Sequence, residues 1–268
     1  MHPLFDSHAH YDDHRFEEEF EGGTHGALMK AYEEGVHRIV NVGSSLAHSE
    51  ASVSLCEKYD FVYAAVGLHP SDIGDIPDSE TDKYLAAIEK LAAHPKVVAI
   101  GEIGFDYYWD TSYKDKQKLY FDAQLTLSEK LGLPAIIHSR EANGDTFDMI
   151  SAHPKARGVL HSYSGSAEMA RQLCDMGWYI SFSGPLTYKN ANKVKEAAAV
   201  VPSDRILIET DCPYLPPVPH RGKINYSGYM KHTCETAAEI RGVTPDEMAR
   251  ITYENACRFF GLPVISAD

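Results

Sequence analysis

A single (β/α)8 barrel is the fold this sequence predicts, and three observations predict it. Eight apolar, β-branched-rich runs recur along the chain, helix-patterned segments separate them, and the 268 residues approach the roughly 250 of one such barrel. The runs are continuously apolar rather than alternating, which suits parallel strands buried on both faces. Strands alternating with helices give βα units and a parallel sheet. Eight units in this length argue for closure into a TIM-type barrel. An open doubly wound sheet is the structural alternative. No G-x-G-x-x-G or G-x-x-x-x-G-K-[ST] follows any run, which removes that sheet's usual nucleotide-binding form.

The elements follow in order. Pro3–Ser7 is the first strand, and Arg38–Val42 and Phe61–Gly67 are the second and third. "TDKYLAAIEKLAAH" places apolar residues at three- and four-residue spacing and reads as a helix leading into the fourth strand, Val97–Ile103. "KDKQKLYFDAQLTLSEKLG" repeats that spacing, and Gly132 followed by Leu133-Pro134 stops it. Pro134–His138 and Gly158–Ser162 are strands five and six. "SAEMARQLCDMG" starts at a serine cap and ends at a glycine before strand seven, Trp178–Ser183. "NKVKEAAAVVP" precedes strand eight, Arg205–Thr210, and "TPDEMARITYENACRFFG" completes the series. The Pro/Gly-rich "CPYLPPVPHRGKINYSG" directly follows strand eight and reads as an ordered active-site loop rather than a domain boundary. Residues 1–268 therefore read as one domain.

Composition narrows the function. At 44% hydrophobic and 24% charged the chain is ordinary globular material. No apolar run approaches the ~18 residues of a membrane span, and the N-terminus shows no basic-then-apolar secretory signal. Five scattered cysteines without a C-x-x-C read as free thiols, which predicts a cytoplasmic protein. The formal net charge of -14 excludes the long basic stripe by which proteins hold nucleic-acid backbones. A nucleic-acid enzyme of this charge must grasp a few phosphates locally, with metal ions and isolated arginines.

Metal-type ligands cluster where the apolar runs stop. His8 and His10 form an extended His-x-His pair, and alternate residues of a strand point to one face. Glu102 ends "VVAIGE", His138 ends "LPAIIH", His161 ends "GVLH", and Asp211 follows "RILIET". In a (β/α)8 barrel these strand ends all open onto the active-site face. Four histidines and two carboxylates exceed the needs of one tetrahedral zinc and suit two cations about 3.5–4 Å apart. Glu102, on the strand between the two histidine groups, is the expected bridging ligand. Asp211 both binds metal and accepts a proton from the attacking water.

At these residues the chain resembles the TatD family of metal-dependent deoxyribonucleases, within the amidohydrolase superfamily. "FDSHAHYDD", "VGLHPSD", "AIGEIGFDYYWD", "LPAIIHSREA", "ILIETDCPYL", "PHRGK" and "NACRFFGL" follow the order of successive family blocks across essentially the whole chain. "HSYSGS" departs from the family's more frequent His-Cys-Phe-Thr-Gly-Ser, and Tyr11 stands where leucine is usual; neither change removes a ligand. The resemblance implies metal binding by His8, His10, Glu102, His138, His161 and Asp211, matching the reading from the residues. It also implies substrate contacts from His69, Arg140 and Arg221, with Glu209 behind the ligands.

The expectation is a phosphodiesterase acting on DNA, a 3′–5′ exonuclease preferring single strands, through a hydroxide activated by two divalent ions (Mg, Mn or Zn). Tyr107, Tyr108 and Trp109, after strand four, are candidates for stacking terminal bases. Two alternatives stand beside this one. The first is a metal-dependent deacylase or amidohydrolase, for example on aminoacyl-tRNA; the second is a non-catalytic metal-binding scaffold.

Overall fold

Eight strands form one sheet in the order β1-β2-β3-β4-β5-β6-β7-β8. The computed structural model describes residues 2–264. In chain order the elements are β1 (Leu4–Ala9), α1 (Arg15–Glu19), α2 (Gly23–Glu33), β2 (Val36–Val42), α3 (Leu46–Lys58), β3 (Val62–Val66), α4 (Thr81–Ala92) and β4 (Val97–Asp106). They continue with α5 (Lys114–Leu131), β5 (Ala135–Arg140), α6 (Asn143–Ala152), β6 (Gly158–Leu160), α7 (Ala167–Asp175), β7 (Tyr179–Phe182), α8 (Asn192–Val200), β8 (Ile206–Ile208), α9 (Met230–Arg241) and α10 (Pro245–Phe260). This alternation and strand order are those of the (β/α)8 fold the sequence predicts. No helix among the described residues is long and apolar enough to cross a membrane.

The helix ends carry the chemistry their sequence promises. Ser166 Oγ accepts the Met169 N–H at 3.1 Å and starts α7, while Thr244 does the same for Glu247 at the head of α10, where Pro245 takes the first position. Gly132 closes α5 with φ 67°, a left-handed angle that costs glycine nothing.

The chain divides into two compact units. One comprises residues up to Val40 together with those from His161 onward; the other is Asn41–Leu160. In the first unit β1 and β8 are joined just beyond β8, where Asp211 N–H donates to His8 O at 2.9 Å and His10 N–H to Cys212 O at 2.8 Å. Helix α10 packs on β1 and β8, and Phe5 stacks on Phe260 with ring centroids 5.6 Å apart. In the second unit β3, β4, β5 and β6 pair in parallel, with Gly104 opposite His138 and Asp106 opposite Arg140. Ile100, Ile103, Ile136 and Ile137 are fully buried there, and Phe105 meets Phe121 edge-on.

Strand ends differ from the sequence expectation in an informative way. β4 runs to Asp106 and β5 to Arg140, past the points where apolar character stops, because their ladder continues and Tyr107 N–H donates to Arg140 O at 2.9 Å. Glu102 and His138 therefore sit inside strands, as does His8 in β1. β6 and β8 are shorter than their apolar runs. Beyond them Ser162 (φ 40°) and Asp211 (φ 56°) turn the chain through the left-handed region.

Candidate metal centre

The first unit brings His8, His10 and Asp211 together. His8 Nε2 and His10 Nε2 are 3.0 Å apart, and Asp211 Oδ1 lies 3.7 Å from the first and 3.4 Å from the second. Three ligand atoms on a tetrahedral ion about 2.1 Å away would stand about 3.4 Å apart, so the spacing is that of a shared cation. His161 joins the group by stacking on His8, centroids 4.0 Å apart and planes 15° from parallel. Burial raises the Asp211 carboxyl, but the His10 hydrogen bond and the nearby His161, His8 and His10 outweigh it and hold the group below its ordinary value.

Glu209 orders this group from behind. Its Oε1 accepts the Ser162 N–H at 2.7 Å and lies 3.3 Å from His161 Nδ1. A carboxylate on Nδ1 fixes the imidazole tautomer and leaves Nε2 to face an ion. Glu209 Oε2 is buried and has no hydrogen-bond partner among the described residues. A buried carboxylate oxygen without a donor, on a residue whose other oxygen faces His161, leaves negative charge for a cation to balance, so the donor set fits a divalent ion. Deeper still, Asp6 accepts from Thr210 N at 3.0 Å and from the hydroxyls of Thr210 and Ser227, which fixes the turn that presents Asp211. Complete burial pushes the Asp6 carboxyl up to about 7 despite these bonds.

The second unit assembles a matching group around His138. Its Nδ1 lies 2.8 Å from Glu102 Oε1 and its Nε2 2.9 Å from Asp106 Oδ2. His69 Nε2 is 3.4 Å from the same Glu102 oxygen, and the two imidazoles meet edge-on with centroids 4.3 Å apart. His69 Nδ1 accepts the Ser71 N–H at 3.1 Å. The neutral ring must then carry its proton on Nε2 and act as a donor, which fits a substrate contact better than a ligand. Burial raises the Asp106 carboxyl, while its bond to His138 and the charges of His138 and His69 pull it below the ordinary value.

Two glutamines on one face of α5 place these groups. Gln117 Oε1 accepts the Asp106 N–H and its Nε2 donates to Asp106 O, both at 3.0 Å. Seven residues on, Gln124 does the same to Leu68, at 2.8 and 3.1 Å, and so fixes the residue before His69. Gly104, at φ 143°, lies against the His138 backbone, where a Cβ would strike its carbonyl oxygen. Sequence reading missed Asp106. It lies an even number of residues from Glu102 along one strand, a spacing that could have flagged it. The glutamines carry no comparable signal.

The remaining candidates sit on the surface of their units. Arg140, at the end of β5, stacks over Tyr108 at 3.8 Å and lies 5.4 Å from the Trp109 ring; both aromatics are exposed. Tyr107 is anchored instead, its hydroxyl donating to Asp145 at 2.6 Å. Arg221 lies over Tyr188 at 4.3 Å in the loop after β8. Neither arginine makes an ion pair among the described residues, so both guanidinium groups keep their donors for a ligand.

The family described as TatD related DNase matches residues 5–261. The uncharacterized metal-dependent hydrolase YabD of Bacillus subtilis is 44% identical over 259 residues, 96% of this chain and 98% of that protein. YcfH of Escherichia coli, also an uncharacterized metal-dependent hydrolase, is 36% identical over 259 residues, covering 96% and 95%. The crystal structure of the TatD homologue YjjV from Escherichia coli superposes with a TM-score of 0.88 at 30% identity, covering 97% of this chain and 98% of that one. With a TIM-type (β/α)8 fold and candidate metal-ligand groups on its strands, the chain belongs to the TatD family of metal-dependent hydrolases.

Proposed function

We propose that this protein hydrolyses DNA phosphodiester bonds, removing nucleotides from single-stranded ends with 3′–5′ polarity. The observation that carries the reading is the pair of donor groups on or just beyond the strands: His8/His10/Asp211 with His161, spaced for one divalent cation, and Glu102/His138, with the His69 N–H beside them. The family name points to DNA. Divalent ions, of magnesium, manganese or zinc, supply Lewis-acid charge that acidifies water and neutralises phosphate oxygens.

The chain's own residues do the rest. Asp211, held ionised beside three imidazoles, accepts the proton of the attacking water. Glu209 and Asp106 orient His161 and His138. His69 donates from Nε2 to a phosphoryl oxygen. Arg140 and Arg221 offer bidentate donors to phosphates flanking the scissile one. Tyr108 and Trp109, exposed and braced by Arg140, stack terminal bases. Five buried free thiols suit a reducing compartment such as the cytoplasm.

Digestion of end-labelled single-stranded and duplex DNA across Mg2+, Mn2+ and Zn2+, with aminoacyl-tRNA as a parallel substrate, tests the proposal. Metal-dependent release of mononucleotides supports it. Release of amino acid, with intact DNA under every metal, would replace it with a deacylase.

A further inference from the structure

We propose that His220 and His232 form a separate binding site for a borderline divalent cation, of the zinc, copper or nickel class, that ties the loop after β8 to helix α9. Their Nε2 atoms lie 3.1 Å apart. Two imidazole nitrogens on one tetrahedral zinc, each about 2.0–2.1 Å from it, would stand about 3.3 Å apart, so the rings already hold ligand spacing.

Three further features prepare the pair. His232 Nδ1 lies 3.3 Å from Glu235 Oε2, so its N–H is taken by a carboxylate and its Nε2 lone pair is turned towards His220. The His220 ring is held flat against Tyr229, with centroids 3.7 Å apart and planes within 2°. Its backbone is fixed by two turns, N–H to Pro217 O at 2.7 Å and Lys223 N–H to His220 O at 3.1 Å. The surrounding charges are mixed: Lys223 and Lys231 oppose a cation, while Glu34 and Glu235 favour one.

Two imidazoles with water in the remaining positions select zinc, copper or nickel over magnesium or manganese. Micromolar rather than tighter affinity is expected from only two protein ligands. The consequence concerns the neighbouring Arg221 and Lys223, which share the loop. A bound ion would restrain that loop without touching the ligand groups at the strand ends.

The test is equilibrium dialysis of the intact protein against Zn2+, comparing wild type with His220→Asn/His232→Asn, both checked by circular dichroism. One Zn2+ fewer on the double variant supports the site; equal stoichiometry overturns it. Histidine footprinting of wild type with diethyl pyrocarbonate keeps the proposal testable if the variant misfolds. Zn2+ should protect His220 and His232 together at concentrations where Mg2+ does not, and equal modification with and without Zn2+ overturns the assignment.

Discussion

Gln117 holds both the N–H and the C=O of Asp106 through one side-chain amide. The backbone of the residue whose carboxylate orients His138 is thereby held from a helix as well as by its own ladder. Gln117→Leu keeps the volume and strands two buried backbone groups, each costing about 1–3 kcal/mol. At this size roughly 2–4 °C of melting temperature is lost per kcal/mol. The expected outcome is a protein melting several degrees lower, with hydrolysis reduced because His138 is less well aimed. An unchanged melting curve would show that the amide is not needed to hold Asp106.

Asp211→Asn preserves shape and removes both the charge and the proton acceptor. Turnover should fall by about 10²–10⁴-fold, the usual worth of a positioned acid or base. Because Asp211 is held below the ordinary carboxylate value, its protonation does not limit activity in mild acid. Activity should instead fall on acidification because protons compete with the metal for the ligand histidines. A pH profile flat down to the carboxylate range would contradict this.

Arg221→Ala should raise KM on oligonucleotides with little change in kcat on a small activated phosphodiester. A contact to a flanking phosphate is made equally in ground and transition states, so its loss weakens binding alone. Steady-state kinetics on both substrates decide, and equal KM values would leave Arg221 with only its packing on Tyr188.

Linear single-stranded DNA should be degraded faster than a blunt duplex, and a circular single strand should survive. Candidate ligands as buried as His8, Glu102 and His161 are reached by a flexible terminus more readily than by duplex DNA, whose persistence length is about 50 nm. With a net charge of -14 there is no extended basic surface to pull strands apart. Rapid cutting of the circle would establish internal cleavage instead.

Much of this was legible in the sequence, for identifiable reasons. The eight strands were visible because strands buried on both faces are apolar without interruption, and the six ligand candidates stood out because each interrupts such a run. Asp106 was hidden by the same logic: β4 continues past its apolar stretch, so a residue that reads as loop belongs to the ladder. Gln117 and Gln124 were hidden because a polar residue on a helix usually faces water, and only the fold shows these two turned inward onto backbone. His69 was visible as a candidate. Its donor character emerged only with the Ser71 N–H on its other nitrogen.

Metal stoichiometry tied to activity tests the central claim most directly. Chelator-stripped protein is titrated with Mn2+, which disfavours the two-histidine site, while bound metal and nucleotide release from single-stranded DNA are followed together, for wild type and Glu102→Ala. Wild type should bind about two ions and gain activity as the second is added. Glu102→Ala should bind at least one fewer and stay inactive. Full metal content with wild-type hydrolysis in Glu102→Ala would contradict the account.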